Sequence, residues 1–440
     1  MEESFSIKKV FGNSAWQICE KIITMVIGVV VTSIVARYLG TENYGTVNYV
    51  ISVVLLFSTF STFGMETITV RDLTKNKEEK NTIIGTSFII RIIGGLTLII
   101  LSQITLGILS NWNKQYQILG IVMGCSILFK SFEVIEYYIQ SIMKLKISAV
   151  VRTISAIVVA IYKIVVVFCD LGIIGFIFSY LLDSIVVGIL LYVWFKNRNK
   201  EKLKIDKKYA KDILKQCWYL ALSGLMTTIY MRMDQVMLGT MMESKAENGI
   251  YSAAIRIAEM WYFVPTAVIA AFQPMIMKAK EKSQEEFLKR QQQLYDIIAI
   301  IGIICIIGVS IFGKLVINIL YGEAYIRAVP MLLISVWSGL FATLGSARSP
   351  WLVSENLQKY AIIYITSGAI VNTILNALLI PKYGGSGAAF ATLIAQTFTS
   401  IITVLFIRKM RISGIMMLKS IFKNNTIIQI MKILRRKVKC

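Results

Sequence analysis

The residues of this chain that could do chemistry are charges set in an apolar background. Lys21 (beside Glu20), Arg91, the group Lys130, Glu133 and Glu136, then Lys163, Asp183, Arg232, Asp234, Arg256 and Glu259 all lie inside long hydrophobic runs. An ionisable side chain at the centre of a membrane helix costs about 2.5–3.5 kcal/mol on insertion scales, so it faces a cavity or a partner. Spacing sorts these groups. Lys130 and Glu133 are three residues apart and share a helix face, as do Arg256 and Glu259, so each couple can pair within its own helix. Arg232 and Asp234 are two apart and point in different directions, so each needs a partner elsewhere. Lys21, in the first turns of its run, can extend to the aqueous surface. The candidates for holding an anion are therefore Arg232, Arg256, Lys130, Lys21 and Arg91; guanidinium groups bind phosphate oxygens through paired donors. Asp234, Glu133 and Glu259 suit either a coupling cation or ion pairing between the two halves. Pro265 removes a helix hydrogen bond and permits a bend, as a hinge or as a fixed kink. Trp261 and Tyr262, beside Glu259, suit either the faces of sugars or anchoring at the membrane surface.

The composition excludes several chemistries. There is no histidine, which removes Ser-His-Asp and Cys-His catalysis and the commonest transition-metal ligand. The six cysteines form no CxxC pair and mostly lie in apolar runs, where they serve as small hydrophobes. No metal site and no cofactor is expected. The formal charge of +22, from 47 basic and 25 acidic residues, would suit nucleic acid in a soluble protein. Here the basic tracts fall between apolar runs and no nucleic-acid motif accompanies them, so no nucleic-acid partner is expected.

The elements that must position these charges are membrane helices. Hydrophobic residues make up 56% of the 440-residue chain and charged residues 16%, against about 25% charged in a soluble domain. Apolar runs long enough to cross a bilayer fall at 15–38, 44–68, 82–109, 116–143, 148–168, 171–195, 213–241, 250–276, 293–320, 328–353, 359–381 and 385–407, and lipid forces them to be helices. The first is too long for a cleaved signal and lacks a small-residue cleavage site, so it stays as a span. Lysine and arginine crowd the tracts 71–80, 196–215 and 278–290, which are alternate loops; by the positive-inside rule both termini are cytoplasmic. The expected organisation is a six-helix lobe over 1–195, a basic cytoplasmic linker over 196–212, a second six-helix lobe over 213–407, and a basic tail over 408–440. In the tail, Ile421, Ile427, Ile428, Ile430, Met431 and Ile433 intersperse with Lys423, Lys432, Arg435, Arg436, Lys437 and Lys439, as an amphipathic helix on the cytoplasmic face or a merely basic tail.

The two halves repeat one another. Leu39-Gly40-Thr41 recurs as Leu238-Gly239-Thr240, Tyr44-Gly45 has a counterpart in Gly249-Ile250-Tyr251, and Gly172, Gly175 and Ala149 are matched by Gly384, Gly387 and Ala361 at a common offset. Odd-numbered spans match odd-numbered spans, so the repeat is parallel, six helices plus six, about an axis along the membrane normal. Such duplications build carriers.

At this point the residues resemble a known family. Trp16, Glu20-Lys21-Ile22, Ala36-Arg37-Tyr38-Leu39-Gly40, Tyr44-Gly45, Phe63-Gly64 and Val70-Arg71-Asp72-Leu73 are similar to the N-terminal signature of bacterial polysaccharide flippases, those of O-antigen and capsule repeat units, within the MATE-like MOP exporter superfamily. Phe132 to Tyr138, Tyr230 to Gly239 and Gly249 to Ala254, followed by Arg256, Glu259 and Pro265, resemble its fourth, seventh and eighth spans. The seventh span of that family often opens with proline, whereas Ala221-Leu222-Ser223 stands here. The resemblance implies an all-α polytopic fold of twelve transmembrane helices in two lobes around a cationic cavity. It also implies translocation of an undecaprenyl-pyrophosphate-linked glycan across the cell membrane by alternating access. The partners it implies are membrane lipids, H+ or Na+ as a coupling ion, and a polysaccharide polymerase. A cation-coupled multidrug exporter of the same fold is the alternative, and its lumen should be acidic rather than basic. A membrane glycosyltransferase or polymerase needs a large outward loop, and none here exceeds about a dozen residues.

Overall fold

The structure, a computed structural model, describes residues 7–199 and 201–422. Among these every regular element is helical. The principal helices are α1 (Ile7–Leu56), α2 (Glu66–Lys75), α3 (Lys80–Leu109), α4 (Lys114–Phe129), α5 (Val134–Ser141), α6 (Lys146–Phe168), α7 (Gly172–Arg198), α8 (Lys207–Met241), α9 (Ala246–Ala258), α10 (Phe263–Lys282), α11 (Gln284–Tyr321), α12 (Ala328–Ser346), α13 (Ser349–Ser354), α14 (Ala361–Thr397) and α15 (Arg411–Phe422). Nine segments among the described residues are long and apolar enough to cross a membrane. Two of them turn within their length, α1 at Gly40 and α14 at Gly384, where the backbone leaves the helical region. These turns fall between the expected first and second and the expected eleventh and twelfth spans, and α8 covers the expected seventh. The tail residues beyond Phe422, including Ile427, Ile428, Ile430, Met431 and Ile433, lie outside the described residues.

The repeat is legible in the backbone. Gly172 and Gly384, matched at the start of the sixth and twelfth spans, both take positive φ, 58° and 54°, a conformation that only glycine adopts without strain. Breaks also recur in step. The second span is interrupted at Phe63 and Gly64, both with positive φ, and the eighth by the 3₁₀ turn Met260–Tyr262. The fourth span is interrupted by the 3₁₀ turn Lys130–Glu133, and the tenth between α12 and α13 at Ala347 and Arg348. The bend in the eighth span thus precedes Pro265, which stands in the first turn of α10, where a missing N–H is tolerated.

The chain forms two compact units, Met1–Gly249 and Ile250–Cys440. In the first, α1 packs along α6 and α8, α3 along α4, and α7 along α4 and α6. A core of Leu73, Ile83, Val134, Ile139, Val187 and Leu191 closes one end. In the second, α11, α12 and α14 pack side by side around Leu294, Ile298, Val336, Leu340 and Leu344. The outer faces are as apolar as the inner ones: Ile93, Leu96, Ile100, Ile104 and Ile108 form an exposed stripe on α3, and Ile304, Ile307, Ile311 and Leu315 another on α11. This is the surface of a protein dissolved in hydrocarbon. The unit boundary at Gly249 places α8 with the first unit; the six-plus-six division rests on the sequence repeat.

The repeated glycines near that boundary serve close approach. The turn after Gly40 meets the start of α9, where a Cβ on Gly45 would stand 1.8 Å from the Lys245 carbonyl oxygen and one on Gly249 would stand 2.1 Å from that of Thr41. Around this crossing Asn248 donates to the Gly45 carbonyl (3.0 Å), and the Glu42 carboxylate accepts from the backbone N–H groups of Lys245 (2.9 Å) and Ala246 (3.0 Å). An anion at a helix N-terminus is favoured by both unsatisfied donors and dipole. Lys245 lies 5.2 Å from the Tyr49 ring centroid and donates to the Gly239 carbonyl; burial lowers its ammonium pKa, with Glu42 opposing. Gly249→Ala should therefore lower the Tm of the detergent-solubilised protein by several degrees. Gly308→Ala, where a Cβ meets nothing within 4 Å, should leave it unchanged or raise it slightly through helix propensity. Thermal unfolding of the two variants side by side checks the contrast.

Candidate functional site

The charged groups of the first unit are drawn into one connected cluster because the fourth span breaks where they occur. The 3₁₀ turn Lys130–Glu133 changes the helical phase, a feature associated with hinges and functional sites in long helices. The expected pairing of Lys130 with Glu133 is not what forms. Glu133 instead takes Arg91 of α3, at 3.0 Å, on one carboxylate oxygen and Arg152 of α6, at 2.8 Å, on the other. Arg152 also holds Glu136 through Nη2 at 2.7 Å and Nε at 3.1 Å. Arg91 donates to the Tyr137 hydroxyl at 3.1 Å, with its guanidinium carbon 5.7 Å from the centroid of that ring. The physical reason is reach: two guanidinium groups from neighbouring helices approach the carboxylate from both sides, which an ammonium on its own helix cannot match in geometry. Arg91, Arg152, Glu133 and Glu136 pair two cations with two anions, and Lys130 stands beside them in a crevice it shares with Asp183.

A second feature adjoins it. Lys130, Glu133, Arg152 and Asp183 line a narrow crevice, and Asp183 also borders a cavity of about 180 Å³ whose wall includes Thr24, Val31, Lys163, Ser179 and Tyr180. The cavity is built by the first half of α1 with α6 and α7. Lys163 is buried with Nζ 3.4 Å from Thr32 Oγ1, and 5.3 and 5.4 Å from the ring centroids of Phe176 and Tyr180. Aromatic faces stabilise an ammonium away from water. Asp183 accepts a 2.6 Å hydrogen bond from Ser155. The Ser179 hydroxyl is buried with no hydrogen-bond partner. A cation, a carboxylate and a buried hydroxyl with no hydrogen-bond partner thus line one space with an aliphatic floor.

The other expected site residues are dispersed. Arg232 and Asp234 lie on α8, the arginine half-buried and the carboxylate buried, and the adjoining Gln235 accepts a hydrogen bond from Ser52. Arg256 on α9 is half-buried and Glu259 at its end is exposed; both belong to the second unit. Lys21 is exposed near the start of the first span. Sequence reasoning passed over two arginines. Arg152 stands inside the run 148–168 and Arg348 inside 328–353, so the rule that selected Arg91 would have selected both. No group of three His, Cys, Asp or Glu residues among the described ones is arranged to hold a metal ion.

The profile of the polysaccharide biosynthesis protein family matches residues 10–280. The chain belongs to that family. Among curated relatives it is 24% identical over 271 residues to the probable flippase AglR of Haloferax volcanii, a match that covers 59% of this chain and 55% of that protein; the chain thus spans about half the length of this relative. Among solved structures the fold is that of the lipid II flippase MurJ in an inward closed conformation, with a TM-score of 0.74, 18% identity and 95% and 92% of the two chains covered. An inward-facing MATE multidrug resistance transporter of the MOP superfamily follows at a TM-score of 0.69 and 15% identity, covering 89% and 95%. The expected fold, an all-α multi-pass protein with the MATE-like arrangement of helices, is the one found.

Within this member of the family the arginine–carboxylate group ties three spans together. Glu133→Gln should cost about 3 kcal/mol of stability, because Arg91 would be left buried beside a neutral amide. Arg91→Met combined with Glu133→Gln should cost less than the sum of the single changes. Thermal or denaturant unfolding of the purified variants measures both.

Proposed function

We propose that this chain is a flippase that moves an undecaprenyl-pyrophosphate-linked oligosaccharide across the cytoplasmic membrane by alternating access, for surface polysaccharide synthesis. The observation that carries the proposal is the cavity around Lys163: a buried cation with hydroxyl groups beside it, inside a protein whose family is polysaccharide biosynthesis. AglR is named a probable flippase and MurJ a lipid II flippase, which supports the same class of cargo here. In this reading Lys130, Lys163, Arg232 and Arg256 attract the phosphate or acidic sugar, and Lys21 collects the headgroup at the cytoplasmic rim. Arg91 positions Glu133 rather than touching cargo, since its guanidinium is buried against Glu133 and Tyr137. Glu133, held by two arginines, serves pairing; Asp234 and Glu259 serve pairing or a coupling H+ or Na+. The break before Pro265 is the hinge of the eighth span. Both termini face the cytoplasm, as the loop charges require, and a polysaccharide polymerase receives the product. The multidrug reading that the MATE likeness raises is the alternative, and the family match to polysaccharide biosynthesis favours the glycan cargo over it.

Lys163→Ala and Arg232→Ala should each reduce surface glycan about tenfold or more, the equivalent of ~1.4 kcal/mol of lost charge-assisted contact, with normal amounts of protein in the membrane. Lys163→Arg should retain part of the activity. Surface glycan is read in a host that lacks its own flippase and makes the cognate lipid-linked unit. Undiminished export by both alanine variants would remove these cations from the cargo path.

A further inference from the structure

From Arg408 to the C-terminus the chain carries ten lysines and arginines and no aspartate or glutamate. The described part of this segment, α15, is held in a fixed register against the second unit. Tyr295 and Ser413 share a hydrogen bond of 2.7 Å, Gln292 donates to the Met416 carbonyl at 3.1 Å, and Met417 and Ser420 are buried. Beneath it lies Arg348, wholly buried, whose guanidinium donates to the Ser400 carbonyl in the π-helical turn Phe398–Ile402 and lies 3.5 Å from the Met417 sulfur and 4.9 Å from the Tyr364 ring centroid. The inner face is thus settled, and the outer face is defined by exclusion. It presents Ile412, Ile415, Lys419 and Phe422, at spacings of three, four and three residues, with Arg411 alongside. Phe406, Arg408 and Lys409 are exposed just before it, and Phe406 and Phe422 are about four-fifths accessible, 81% and 79%.

We propose that this face docks in the plane of the membrane on an anionic lipid leaflet. The apolar stripe at helical spacing asks for hydrocarbon rather than water. Among the described residues no salt bridge engages Arg408, Lys409, Arg411 or Lys419, and their own segment holds no acidic residue, so an anionic surface can supply the counter-charge. Each Lys or Arg near an anionic surface contributes about 1 kcal/mol. A leaflet supplies both the hydrocarbon and the charge at one boundary, next to spans already in the bilayer, whereas a nucleic acid supplies only the charge. Through Met417 and Arg348 the docked helix bears on the π-helical turn of the twelfth span, so leaflet charge would reach the core of the second unit.

The test uses the full-length chain with an environment-sensitive fluorophore at Phe422→Cys, in a background with the six native cysteines replaced by serine or alanine, reconstituted in phosphatidylcholine vesicles with or without 30% phosphatidylglycerol, on the order of a cytoplasmic leaflet's anionic content. The expected result is blue-shifted emission with phosphatidylglycerol, quenched by lipid-borne quenchers and reversed by high salt. The variant with Arg408, Lys409, Arg411 and Lys419 changed to glutamine should lose the difference while its Tm stays within a degree or two of the parent. Ile412→Ser with Ile415→Ser should weaken the shift in both lipids. Identical emission with and without phosphatidylglycerol would overturn the proposal, as would a shift that appears only on adding an oligonucleotide. These outcomes are independent of the cargo, because no glycan is present.

Discussion

A charge in hydrocarbon must find its opposite within the protein, and that constraint organises this molecule. Arg91, Glu133, Arg152 and Glu136 lie on helices that lipid surrounds, and they neutralise one another across three spans. A single broken helix makes this possible. The 3₁₀ turn Lys130–Glu133 rotates the second half of the fourth span, so that Glu133 is reached from α3 and from α6 at once while Lys130 is released toward the crevice.

The cavity beside this cluster inherits its properties from the arrangement. Because the two arginines are engaged by the two glutamates, the charges left facing the space are Lys163 and Asp183. The Lys163 Nζ lies beside two aromatic faces and a threonine hydroxyl, groups that stabilise a cation away from water.

The glycine-rich turns show a second kind of economy. Gly45 and Gly249 let two backbones cross closer than any side chain permits, and Glu42 caps the helix that begins there. The same sequence repeat yields the positive φ values of Gly172 and Gly384. At Gly45 and Gly249 a Cβ would meet a carbonyl oxygen, and at Gly172 and Gly384 a side chain would be strained by the positive φ.

Much of this was determined by the sequence alone. An all-α, multi-pass fold follows from the length and spacing of the apolar runs, because lipid allows only helices there, and the glycines Gly40, Gly172 and Gly384 fall where the backbone takes positive φ. The spans that break are also marked by what they contain, namely charges in the fourth and aromatic residues before Pro265 in the eighth. What only the tertiary structure decided is which charges meet. Spacing along one helix suggested that Lys130 would pair with Glu133, but a carboxylate is taken by whichever donors reach it with two-point geometry, and those were Arg91 and Arg152, distant by 42 and 19 residues. Local periodicity records which residues share a face of one helix. It carries no information about which neighbouring helix that face will meet, and so the partners of Glu133, the cavity at Lys163 and the burial of Arg348 under α15 became visible only once the helices were packed.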